Sequence, residues 1–147
     1  MAGIPMDQRE GWIWYNGEFV EWKQAKCHIL NHGLHYGSSV FEGQRAYNGK
    51  IFKLKEHTER LRFSANELGF DLPYSNEEIN AACEEVLKKN NLVNAYMRPF
   101  AWRGSETLAI SSRDSRIHVA VAAWEWGTYF SKEARMKGLR LSWSKWK

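Results

Sequence analysis

Trp12-Ile13-Trp14-Tyr15-Asn16-Gly17-Glu18-Phe19-Val20-Glu21-Trp22 sets an Asn-Gly pair between two short runs rich in aromatic and β-branched residues. Asn-Gly tolerates the positive φ angles of a type I′ turn, so the stretch predicts an antiparallel hairpin. The device recurs at Asn48-Gly49, flanked by residues 40–47 and 50–54. From Lys55 the period becomes helical: Leu61, Ser64, Ala65 and Leu68 fall at i, i+3, i+4 and i+7, and Gly69 follows as a C-terminal cap. A second helix is marked more fully. Ser75 with Glu78 makes a capping box, and Ile79, Ala82, Cys83, Val86 and Leu87 form an apolar stripe. Lys88 and Lys89 suit the negative end of the helix dipole.

Beyond Asn90-Asn91 the pattern returns to strands over residues 95–103, 116–124 and 139–146, with a helical turn near 131–137. Pro99 cannot donate to a ladder, which predicts an edge position or a bulge for the first of these strands. In the second, Ile117, Val119, Val121 and Ala123 alternate with Ala120, Ala122 and Trp124, so both faces of the sheet are expected to be covered. Runs of strands with two helices between them make an α+β domain. Residues 1–11 read as a flexible arm and residues 12–147 as one domain.

A chain of 147 residues is long enough to bury a core of its own, and 44% hydrophobic against 26% charged residues excludes general disorder. The net charge of +4 arises from 21 basic residues interleaved with 17 acidic ones. That mixture favours a small anionic ligand over a nucleic-acid backbone. No stretch reaches the ~20 apolar residues of a membrane span, and no basic N-terminus leads into an apolar run, so no membrane partner is expected. Cys27 and Cys83 lie apart without paired spacing, which points to a reducing, cytoplasmic home.

Two arginines stand out as anion ligands. Arg60 lies one turn after His57, early in the first helix, where a guanidinium fork and backbone N–H groups can share an anion. Lys55, Glu56, Glu59, Arg60 and Arg62 alternate in sign, however, and by spacing alone they read first as a solvated face laced with ion pairs. Arg98 shares a strand face with Tyr96, Phe100 and Trp102, opposite Ala95, Met97, Pro99 and Ala101. A cation among rings on a half-buried face needs an anionic partner, either a ligand or a structural carboxylate such as Glu42 or Glu125. Cys27, His28, His32 and His35 suggest a zinc site, but no second cluster completes the usual four ligands, so no metal is expected. The glycines from Gly33 to Gly43 match neither a Walker loop nor a dinucleotide fingerprint.

The stretch His32-Gly33-Leu34-His35-Tyr36-Gly37-Ser38-Ser39-Val40-Phe41-Glu42-Gly43-Gln44-Arg45-Ala46-Tyr47 resembles the signature of branched-chain amino-acid aminotransferases. These are class IV, fold-type IV enzymes that depend on pyridoxal 5′-phosphate, and the likeness runs from Trp14 to Trp146. D-amino-acid aminotransferases and aminodeoxychorismate lyases tend to carry a Gly-Asp-Gly-like turn where this chain has Gly37-Ser38-Ser39. Gln44 departs from the family at a position that is usually apolar. The resemblance implies the small N-terminal domain of that fold, an antiparallel sheet with two helices packed against it. It implies that Arg60, within His57-Thr58-Glu59-Arg60-Leu61, grips the cofactor phosphate. It further implies that Arg98 receives the distal carboxylate of glutamate or 2-oxoglutarate, with Tyr96 helping to bind substrate. Phe41, Trp126 and Tyr129 would wall an apolar pocket for leucine, isoleucine and valine. Tyr36 and Ile110 match residues that relatives contribute from a partner subunit, which implies a homo-oligomer, a dimer or higher.

The same resemblance sets a limit. In the family the Schiff-base lysine, the glutamate paired with the pyridine nitrogen and further phosphate-binding loops belong to a C-terminal domain. Lys145 and Lys147 precede the lysine's expected position. The expectation is therefore the binding half of an active site, inactive alone and without a catalytic residue of its own. The alternative is a noncatalytic domain that uses Arg60 and Arg98 for small anions or for docking a partner. A nucleic-acid binder is disfavoured by the mixed charges and by the lack of an RNP-like or zinc motif.

Overall fold

A computed structural model describes residues 4–127 and 130–146. Strands β1 (Trp12–Tyr15) and β2 (Glu18–Glu21) pair antiparallel through Asn16 at φ 51° and Gly17 at φ 96°, the left-handed pair that a type I′ turn requires. The second Asn-Gly, at φ 49° and 75°, joins β4 (Gln44–Tyr47) to β5 (Lys50–Ile51). The expected strand over 50–54 stops after Ile51, because Lys53 turns into the left-handed region at φ 55° and starts helix α2 (Leu54–Glu67). The expected run over 40–47 is split. β3 (Ser39–Phe41) and β4 both pair with β6 (Ala95–Arg103), and Glu42-Gly43 interrupts the chain between them.

The sheet runs β2-β1-β7-β6-β4-β5, with β3 also against β6 and with β7 (Ile117–Trp124) between β1 and β6. Every pairing is antiparallel. β6 is thus interior, which corrects the edge position allowed for Pro99. The Pro99 carbonyl accepts a bond from the Glu42 N–H at 2.9 Å, so the donor that proline lacks falls at the interruption in the neighbouring strand, where the ladder is already broken.

Helices α2 and α3 (Asn76–Lys89) cover one face of the sheet. Leu61 and Ala65 from α2, and Ile79, Ala82, Cys83, Val86 and Leu87 from α3, pack on Ala46, Met97, Val119 and Val121. The capping box forms as the sequence predicts: Ser75 Oγ accepts from the Glu78 N–H at 3.1 Å, and Glu78 Oε2 accepts from the Ser75 N–H at 2.7 Å. Leu68, counted in the α2 stripe, is 46% exposed because the helix ends at Glu67 and Gly69 (φ 71°) turns the chain away. Burial among apolar neighbours pushes the Cys83 thiol up to about 12 and leaves it inert at neutral pH.

The opposite face carries a second cluster built from Ile13, Trp22, Trp102, Ala120, Ala122 and Trp124, with Tyr15, Tyr96, Phe100 and Trp126 half-buried against it. β7 serves both clusters, as its alternation requires. After helix α4 (Lys132–Lys137) the chain departs from expectation. Residues 139–146 form no strand, and Leu141, Trp143 and Trp146 lie almost fully exposed. Alternating side chains make a strand only where a neighbour accepts its backbone bonds, and this segment has no such neighbour among the described residues.

Gln44 is fully buried beside the helix-facing core, and both atoms of its amide lack a hydrogen-bond partner among the described residues. An unpaired buried amide is costly, so Gln44→Met, which keeps the length and removes the polar atoms, is expected to raise stability by about 1 kcal/mol or more. An unchanged or lower urea midpoint would contradict that account of Gln44.

Candidate functional site

Three consecutive residues at the β3–β4 interruption reach three separate groups. The Phe41 ring, more than half exposed, lies 4.2 Å from the Arg98 guanidinium carbon. The buried Glu42 carboxylate turns toward α2 and accepts bonds from Arg60 Nε (2.6 Å, to Oε1), Arg60 Nη2 (2.7 Å, to Oε2) and His57 Nδ1 (2.7 Å, to Oε2). A Cβ built on Gly43 would come within 2.5 Å of the Tyr96 hydroxyl, so only glycine lets that ring approach. Strand alternation sends the first and second of these side chains to opposite faces.

Burial tends to raise the Glu42 pKa, but hydrogen bonds and charge from Arg60 and His57 outweigh it and hold the carboxyl below its ordinary range. The alternating charges on α2 therefore do not account for Arg60. Its partner comes from another element, while Lys53 and Glu56 make the local ion pair at 2.6 Å. Glu42 engages only the Nε edge, and Nη2 also lies 3.3 Å from His57 Nδ1. Among the described residues nothing engages the far side of the guanidinium, its Nη1 group, which remains for another anion, and the side chain is 63% exposed.

Arg98 sits differently. Its Nη2 donates to the Tyr96 hydroxyl at 2.7 Å, while its buried Nε has no hydrogen-bond partner among the described residues. Glu42 is committed to Arg60 and His57, and no salt bridge reaches Arg98 among the described residues, so neither carboxylate considered as its structural partner serves. The Tyr96 ring is held by Trp124 at 4.9 Å and Trp126 at 5.4 Å between centroids. The Trp126 carbonyl in turn accepts from Arg45 Nη1 at 3.3 Å. The Phe41 and Tyr96 rings thus flank the Arg98 cation, with Trp126 packed behind Tyr96. Tyr129 lies outside the described residues.

Tyr36 and Ile110 form a separate group. Tyr36 closes helix α1 (His32–Tyr36), and its ring lies 4.5 Å from that of His32. His32 contacts the Ala109 carbonyl through Nε2 at 3.2 Å and Ser38 Oγ through Nδ1 at 2.7 Å. It thereby ties α1 to the loop that presents Ile110, which is 91% exposed. His35 contacts the Ile29 carbonyl instead, so the two histidines work on different groups. Beside β3 an apolar hollow of about 300 Å³ is lined by Ile13, Tyr15, Leu34, Phe100 and Trp102 among others, and it contains none of the residues anticipated for the site.

Glu42 and Gly43 are the contributors that spacing could not reveal. The Glu42 partners lie 15 and 18 residues away on another element, and the Gly43 neighbour lies across the sheet.

A family profile described as Amino-transferase class IV matches residues 39–147. The branched-chain-amino-acid aminotransferase of Pseudomonas aeruginosa is 44% identical over 142 residues, covering 94% of this chain and 46% of that protein. A probable branched-chain-amino-acid aminotransferase of Rickettsia felis is 45% identical across 100% of this chain and 49% of its own length. Among solved structures, the branched-chain amino acid aminotransferase of Escherichia coli aligns with a TM-score of 0.80 at 40% identity, over 86% of this chain and 43% of that one. A T.th. branched-chain amino acid aminotransferase solved with pyridoxamine 5′-phosphate aligns with a TM-score of 0.80 at 44% identity, over the same 86% and 43%. The chain spans about half the length of the curated relatives it matches. Likeness of this breadth settles membership: the chain belongs to the class IV aminotransferases.

Proposed function

We propose that this chain is the phosphate- and substrate-binding part of a branched-chain amino-acid aminotransferase, which exchanges amino groups between leucine, isoleucine or valine and 2-oxoglutarate. One observation carries the reading. Among the described residues Arg98 has no carboxylate partner and a buried Nε without a hydrogen bond, while Nη2 holds the Tyr96 hydroxyl, a geometry that suits the distal carboxylate of 2-oxoglutarate or glutamate. Exposed Phe41 beside it offers apolar surface to a branched side chain, and the same wall role is proposed for Trp126 and Tyr129. One pocket then serves both substrate kinds.

The exposed outer edge of Arg60 fits the phosphate of pyridoxal 5′-phosphate, since its Nη1 donors are not engaged by Glu42. When bound, that cofactor supplies the electron sink for removing the proton on the substrate α-carbon. The residues of this chain bind and orient. Arg60 anchors the phosphate, Arg98 and Tyr96 fix the far carboxylate, and the ring cluster behind Tyr96 excludes water. The Schiff-base lysine is proposed to lie outside these 147 residues, so the chain alone does not transaminate. Residues 12–147 act as the domain and 1–11 as an arm. Tyr36 and Ile110 face a second subunit of a cytoplasmic homo-oligomer.

Replacing the matching segment of the Escherichia coli relative with residues 12–147 tests the reading. The chimera is expected to transaminate leucine with 2-oxoglutarate, and the 147-residue chain alone to show no turnover. A chimera that folds and binds pyridoxal phosphate without turning over leucine would sink it, as would turnover by the chain alone.

A further inference from the structure

We infer that Glu42 is the positioning residue for Arg60, gripping the Nε edge of its guanidinium so that the Nη1 side is presented to the phosphate. The inference rests on the proposed role of Arg60 as phosphate anchor. An arginine with 63% of its side chain exposed would ordinarily sample many rotamers and lose that freedom on binding. Here it is held at two points, 2.6 and 2.7 Å, by a carboxylate that is itself only 5% exposed. Two parallel bonds fix the plane of the guanidinium as well as its place.

Glu42 is fixed in turn. Its N–H donates to the Pro99 carbonyl at 2.9 Å, and Oε2 also accepts from His57 Nδ1, one turn before Arg60 on α2. The strand and the helix therefore agree on where the fork stands. The pair is also durable at neutral pH. Arg60 and His57 hold the Glu42 carboxyl below its ordinary range against the effect of burial, so the ionised form persists until the pH falls through that depressed value.

Electrostatics alone makes the opposite forecast, and this allows a decision. A carboxylate beside an anion site repels the anion, so neutralising it without change of shape should tighten binding. If Glu42 instead positions Arg60, neutralising it should weaken binding. The test is calorimetric titration of the 147-residue chain with pyridoxamine 5′-phosphate, which lacks the aldehyde that would label surface lysines, alongside inorganic phosphate. For Glu42→Gln the dissociation constant is expected to rise about tenfold, the scale of losing one charge-assisted bond. Arg60→Ala should remove the binding. Equal or tighter binding by Glu42→Gln, with Arg60→Ala still weak, overturns the role of Glu42 and leaves Arg60 as anchor. No effect of Arg60→Ala overturns the anchor and the positioning role together. Should Glu42→Gln not fold, the unaltered chain decides by NMR. The Arg60 Nε–H is expected to exchange slowly with solvent and to persist when phosphate is added, and exchange as fast as in free arginine overturns the inference.

Discussion

Gly43→Ala is expected to cost the fold about 1–3 kcal/mol and to unseat Arg98 at the same time. Gly43 is not among the residues at positive φ, so its backbone would tolerate alanine, and the objection is one of space. The new Cβ would stand 2.5 Å from the Tyr96 hydroxyl and 3.2 Å from Cζ. The tyrosine has little room to yield, with its ring held by Trp124 and Trp126 and its hydroxyl bonded to Arg98 Nη2 at 2.7 Å. The strain must then pass into the Glu42-Gly43 interruption, which also holds Arg60. A lower urea midpoint together with altered Arg98 side-chain resonances checks the expectation. Adding Tyr96→Phe to Gly43→Ala removes the colliding oxygen and should restore a large share of the loss; failure to restore any would place the damage elsewhere.

Local chemistry carried much of the fold. Asn-Gly pairs at 16–17 and 48–49 dictate their turns because few other residues accept two successive positive φ angles. Ser75 and Glu78 announce the start of α3, and the alternation from Ala95 to Arg103 is the strand β6 itself. What escaped the sequence depends on neighbours. Residues 40–47 alternate like one strand, and nothing local says that Glu42-Gly43 must break it so that a carboxylate can reach α2. Pro99 reads as an edge or bulge residue until the interrupted strand beside it is seen. Residues 139–146 alternate too, yet lack a partner among the described residues, and a pattern of side chains cannot supply one. The same division holds at the site. Arg60 and Arg98 are conspicuous as charges beside rings or at a helix start, while the bonds of Glu42 to Arg60 and His57, and the closeness of Gly43 to Tyr96, become visible only once three elements are brought together.

Arg98→Ala carries the largest expected effect on activity. Arg98 has rings on two sides and no carboxylate from its own chain among the described residues, so its remaining bonding capacity is kept for an incoming anion. 2-Oxoglutarate has a distal carboxylate to place there and leucine has none. In the chimera, the kcat/KM for 2-oxoglutarate should fall about a hundredfold, as expected for deleting one partner of a desolvated charge pair, while that for leucine changes by less than about threefold. Stability should change little, since losing contact with Phe41 is offset by removing a buried donor that has no partner among the described residues. The split between the two substrates is the most direct test that this rim of Phe41, Tyr96 and Arg98 is a seat for a distal carboxylate. Selective loss toward 2-oxoglutarate is the result expected, and equal losses for both substrates, or none for either, would contradict it.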